Sequence, residues 1–193
     1  MKSVVLSFLF LFSTLASAGV FQETSGEALR GLPVQADGRV KPFDSFAREM
    51  LELVYGKQKY EKRDAYEIIL TWMLAPQTWQ SKELFEVRNF DVLTRLGLDT
   101  QKRYYKGDEL FSGAKFSELR AELASKRETK EKLTPYFQAL QRLENQYFVF
   151  SEIATGRMIR VLPPKEGDAW ISVADMQPGP AQEKFLELTK SFI

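Results

Sequence analysis

The chain has 193 residues, with 27 Lys and Arg against 26 Asp and Glu, 44% hydrophobic residues, and neither Cys nor His. A formal net charge of +1 supplies no basic face for nucleic acid. Without Cys and His there is no disulfide, Cys/His zinc site, thiol nucleophile, Ser-His-Asp triad, c-type haem attachment motif or histidine haem ligand, so the chain is read as not an enzyme.

Residues 1–18 have the layout of a signal peptide: Lys2 as the positive start, an apolar core from Val4 to Phe12, and Ala16-Ser17-Ala18 as a small-residue cleavage site. The apolar run ending at Ala18 is shorter than the roughly 20 residues a membrane span needs. The expectation is a periplasmic protein exported by a cleavable signal, with an uncleaved inner-membrane anchor as the rival. Residues 19–31 then read as a flexible lead and residues 32–193 as a single domain, long enough to bury a real core.

The stretch from Leu32 to Glu49, LPVQADGRVKPFDSFARE, is the most informative of the chain. It predicts a short extended arm, a tight turn at Asp37-Gly38, a second arm, and a helix starting at Pro42. Asp-Gly suits a turn with positive φ, and Pro suits a first helical position. The helix runs to about Tyr55, with Phe43, Phe46, Ala47, Met50, Leu51 and Val54 on one face and Gly56 closing it. Asp64 followed by Glu67 reads as a capping box for a second helix over about 65–75, presenting Trp72 to the core, ended by Pro76 with Trp79 in the next turn.

Residues 83–98 are ambiguous. Phe85 and Val87 alternate with charge as in an edge strand, while Asp91 is placed to cap a short helix ending at Gly97. Lys102 to Lys106 reads as a strand, followed by a loop at Gly107-Asp108. From Lys115 to Ala154 the pattern is helical, and Thr134-Pro135 divides it into two helices or kinks one. Met158–Leu162 and Ala169–Val173 read as a hairpin, and a last helix covers about 181–191. The fold class is therefore mainly α (α+β): a helical domain with a small β-hairpin or short antiparallel sheet near the C-terminal third.

The spacing PVQ-x-x-GR-x-KP-x-D resembles the periplasmic segment of the System II (ResB/ResC-type, CcsBA-like fused) cytochrome c biogenesis proteins, membrane assemblies that attach haem to apocytochromes c. Weaker echoes follow in Pro76 with Trp79, in Arg142-Leu143-Glu144, and in Leu162-Pro163-Pro164 before Trp170-Ile171-Ser172. The resemblance covers about residues 32–175. It implies a mainly periplasmic module detached from the many spans and essential histidines of the haem-handling machinery. It further implies a non-enzymatic accessory docking on membrane haem lyase subunits, holding apocytochrome c, or both, with haem contacted transiently at most and no tightly bound cofactor. Haem lyase activity itself does not carry over.

The candidate partner-binding residues are Gln35, Gly38, Arg39, Lys41, Asp44, Trp79 and Trp170. Arg39 and Lys41 flank the turn and suit a carboxylate. The plainer reading has Arg39 paired with Asp37 or Asp44, only fixing the turn. Met50, Met73, Met158 and Met176 are the available thioether ligands, and Met50 and Met73 fall on apolar faces where packing explains them. Two other functions stand beside the leading one: a periplasmic module binding haem or a similar hydrophobic ligand, and a structural or interaction protein with no direct role in maturation.

Overall fold

The computed structural model describes residues 25–130, 132–164 and 169–190. The signal-peptide reading, the start of the lead and the loop of the C-terminal hairpin lie outside these. Where a flexible lead is expected through residue 31, helix α1 (Ser25–Gly31) forms instead, because Leu29 is wholly buried and Arg30 reaches Asp44 and Asp64, each at 3.9 Å. One apolar side chain and its flanking cation dock this short segment.

Strands β1 (Pro33–Ala36) and β2 (Arg39–Pro42) pair antiparallel, Val34 opposite Lys41 and Ala36 opposite Arg39. Asp37 and Gly38 join them with φ of 51° and 72°, the two-residue turn whose twist matches the strands. The Phe43 N–H donates to the Leu32 carbonyl at 2.8 Å and leads directly into α2 (Phe43–Tyr55). This helix buries the face expected of it, including Phe43, Phe46, Leu51 and Val54, and ends at left-handed Gly56.

A two-residue pairing of β3 (Lys59–Tyr60) with β4 (Arg63–Asp64) precedes α3 (Ala65–Leu74). The Asp64 side chain does not cap α3; its carboxylate is drawn instead to Lys59, 2.7 Å away, so the expected capping box is not made. After Pro76 comes the single turn α4 (Gln77–Gln80). Strand β5 (Glu83–Glu86) is no alternating edge strand, since Leu84, Phe85 and Glu86 are all buried. Helix α5 (Phe90–Leu96) is capped by Asn89, whose side-chain oxygen accepts from the Val92 N–H at 3.0 Å, displacing Asp91 from that role. Strand β6 (Tyr104–Lys106) pairs antiparallel with β5. At Gly107-Asp108 the chain turns at once into α6 (Gly107–Phe111), which the Glu109 carboxylate supports by accepting from the Lys106 N–H at 3.0 Å.

Helices α7 (Ala114–Glu128) and α8 (Pro135–Ala154) are separate, as Pro135 requires, and α8 starts at the Thr134 cap. The C-terminal hairpin pairs β7 (Arg160–Leu162) with β8 (Ile171–Ser172), and α9 (Pro180–Thr189) ends the described chain. The protein is mainly α: nine helices among the described residues, with four separate two-stranded antiparallel sheets. The hairpin expected in the C-terminal third forms as β7–β8, and three further two-stranded pairs lie earlier in the chain. Hairpin β1–β2 lies against β7 without joining its sheet. The core runs through an aromatic relay in which Trp72 meets Phe150 at 5.3 Å between ring centres, Phe150 meets Phe85 at 5.5 Å, and Phe85 meets Phe111 at 4.8 Å. Trp72 is wholly buried there, as its helical spacing indicates.

Candidate functional site: a groove beside the first hairpin

Ion pairs and one hydrogen bond fix the β1–β2 hairpin to the body. Lys41, half-buried, donates to Glu49 of α2 at 2.6 Å and lies 4.0 Å from Asp37 across the turn. Asp44 pairs with Arg48 one turn along α2 and reaches back to Arg30 of α1; a carboxylate in a helix's first turn also suits the positive end of its dipole. The Trp170 backbone N–H donates to Gln35 Oε1 at 2.7 Å, a tie across 135 positions of sequence. Gln35 and Lys41 are therefore spent on holding the hairpin, and Asp44 on tying α2 to α1. Gly38 shapes the turn, where its positive φ excludes side chains at low cost.

Arg39 is left over. It is exposed and makes no ion pair among the described residues, so the reading in which it only locks the turn through Asp37 or Asp44 is not what the structure adopts. Its strand neighbour Val40 is 55% exposed, and because successive strand residues face opposite sides, the hairpin carries the guanidinium on one face and this apolar side chain on the other.

The hairpin forms one wall of a groove of about 690 Å³. Gln35 to Gly38 line that wall, Phe46, Met50 and Leu53 of α2 supply the floor, and Phe148 and Val149 of α8 with Met158 supply the far side. Phe148 is 55% exposed, a large apolar surface open to solvent. At the rim, the Arg157 guanidinium grips Glu152 by two nitrogens at 2.9 and 3.1 Å, and this hydrogen bond pushes the already strong base further up. Arg160, also on the rim, makes no ion pair among the described residues. The groove can thus receive an apolar segment and orient it by unspent guanidinium at its edge.

Two of the expected contact residues sit elsewhere or otherwise. Trp79 is buried: α4 folds it back onto Tyr60 at 5.2 Å and Trp72 at 6.3 Å between ring centres, because Pro76 restarts the helix and does not release the chain into a loop. It belongs to the core and is withdrawn as a surface contact. Trp170 is half-buried, and it is its backbone that touches the hairpin. Sequence reasoning missed Phe148 and Arg160. Phe148 had a signal, being an apolar residue one position off the stripe of Leu143, Tyr147 and Phe150 along α8; Arg160 had none.

Compared with models of known protein families and with curated proteins, the chain matches none.

Proposed function

We propose that this chain is a non-enzymatic periplasmic accessory of c-type cytochrome biogenesis that docks, through the β1–β2 hairpin and the adjoining groove, on a membrane haem lyase complex. The observation that carries the reading is the division of labour in the Gln35–Asp44 motif. Gln35 and Lys41 are consumed in fixing the hairpin and Asp44 in tying α2 to α1, whereas Arg39 makes no ion pair among the described residues and stands exposed beside the turn. A hairpin held to the body, with an exposed cation on one face and the exposed Val40 on the other, offers a partner a charge for orientation and an apolar contact. No helix among the described residues is long and apolar enough to cross a membrane; in this reading, contact with the bilayer comes through the partner.

The test is co-purification of the tagged full chain with the membrane subunits, before and after Arg39→Glu. Loss of the partner from the variant is expected, with thermal stability within about 0.5 kcal/mol of the parent because an exposed, unpaired side chain is changed. Retention of the partner removes the hairpin from the interface. Staining for covalent haem in a strain lacking the gene tests the pathway: intact c-type cytochromes would dismiss the maturation role.

The groove itself favours a second reading, a binder of a hydrophobic ligand such as haem. Its volume falls in the range of about 300–1,000 Å³ typical of small-molecule sites, and Met50 and Met158 offer thioether sulfur. A Soret shift on titrating haem, abolished by Met158→Leu, supports that use; a flat titration dismisses it.

A further inference from the structure

Nearer the middle of α8 lies a second concavity, of about 290 Å³, between that helix and the segment leaving β5. Its walls carry hydrocarbon from Val87, Ala139 and Leu143, and charge from Arg88 and Arg142. At its side is Glu86, whose carboxylate is only 3% exposed. Arg88 donates to Glu86 Oε1 at 2.7 Å, Arg103 donates to the same oxygen at 2.6 and 2.7 Å, and Arg142 stands 3.6 Å from Oε2. Three guanidiniums therefore share one carboxylate. Glu86 is the one acidic residue lining the cavity, against Arg88 and Arg142, so its walls carry one positive charge in excess.

The arrangement is held in place. The Gln146 amide nitrogen, wholly buried, donates to the carbonyls of Leu53 and Val54 in α2 and Glu86 in β5, at 3.1–3.2 Å. This brace ties α8 to both neighbours, and with them the backbone that carries Arg142 to the end of β5 that leads to Arg88. Gln146 lines the same cavity, and its side-chain oxygen is fully buried without a hydrogen-bond partner. That oxygen accepts and does not donate, so it is no part of an anion site.

We propose that this cavity is a binding site for an organic carboxylate with a short apolar body, its carboxylate clasped by Arg88 and Arg142 and its hydrocarbon resting on Val87, Ala139 and Leu143. A guanidinium presents paired N–H donors that match a carboxylate's two oxygens. The apolar walls select a hydrocarbon-bearing anion over inorganic phosphate, and the small volume selects a single small acid or the carboxyl end of a chain. The site is independent of the hairpin groove and of its proposed partner.

Calorimetric titration of the full chain with benzoate, isovalerate and N-acetylleucine, with benzamide and inorganic phosphate as controls, decides the matter. Saturable binding of at least one of the acids is expected, weaker by about tenfold or more for benzamide. N-acetylleucine binding alone identifies a chain terminus as the source, and benzoate or isovalerate binding identifies a free acid. Arg142→Gln should weaken the acid by about tenfold. Arg142 is 58% exposed and makes the longest contact with Glu86, so this variant keeps both short bonds of the buried carboxylate. Arg142→Lys, which keeps the positive charge but loses the paired N–H donors, is the second variant should the first fail to fold, and it should weaken the acid as well. No saturation up to the order of 10 mM acid, affinity unchanged in the folded variant, or phosphate binding as tightly as the acids overturns the proposal.

Discussion

The hairpin groove and the arginine-walled cavity both lean on α8, yet they are built from opposite materials. Around the hairpin the charges are local and mostly half-exposed: Lys41 with Glu49, Asp44 with Arg48, all within a few turns of chain. Such pairs contribute about 0–1 kcal/mol each and set direction more than stability. Around the cavity, one carboxylate is driven into the interior and surrounded by arginines from positions 88, 103 and 142. There the structure depends on the short bonds from Arg88 and Arg103, since a buried charge deprived of its partners costs far more than an exposed one, while Arg142 stands further off. A locally built surface can be altered without unfolding the molecule; a buried knot cannot.

The sharpest way to break the second region is Gly56→Ala. Gly56 ends α2 with φ of +76°, and a Cβ built there would sit 2.5 Å from Glu86 Oε2. The substitution combines left-handed strain with eviction of the buried carboxylate, and a loss of about 3 kcal/mol in urea unfolding is expected. Gly38→Ala, with similar φ but open space around its Cβ, should cost about 1 kcal/mol, the strain alone. Equal losses at the two glycines would erase the contrast between the regions.

Acid separates them next. Burial pushes the Glu86 carboxyl up, but the hydrogen bonds from Arg88 and Arg103 outweigh it and hold the group below the ordinary carboxylate range. A carboxyl whose folded value is depressed stabilises the native state fully above its unfolded value, about 4.3, and loses that contribution as pH falls through the folded value. Glu86→Gln should therefore be less stable than the parent by about 2 kcal/mol at pH 7, with the gap constant down to about pH 5 and narrowing below about 4.3. A gap that persists unchanged at pH 3 would mean that packing and not charge holds Glu86 in place.

Legibility in the sequence follows the same divide. The turn at Asp37-Gly38, the helix after Pro42, the burial of Trp72 and the break at Pro135 are set by interactions a few residues apart, and the spacing of apolar, Gly and Pro positions announces them. The Glu86 knot joins residues as far apart as Gly56 and Arg142, and in sequence each member looks like an ordinary surface charge. The errors have the same origin. Asp64 was a sound cap by local rules but found a stronger partner in Lys59, and Trp79 followed a helix-ending proline yet was folded inward by tertiary packing against Tyr60 and Trp72.

The Gln35–Trp170 bond is the exception that links the two kinds of region, a member of the local motif whose partner lies 135 residues away. Removing the acceptor with Gln35→Ala leaves a half-buried backbone N–H unmatched and should cost about 1 kcal/mol, or about 2–4 °C in melting temperature for a chain of this size. Gln35→Glu keeps an oxygen in place and should recover most of that loss. The more discriminating readout is partner capture. If the hairpin works by being aimed, Gln35→Ala weakens capture beyond what its small stability loss explains, and Gln35→Glu restores it although neither variant alters Arg39 or Val40. If capture follows stability alone, the long-range bond holds the fold together without aiming the hairpin.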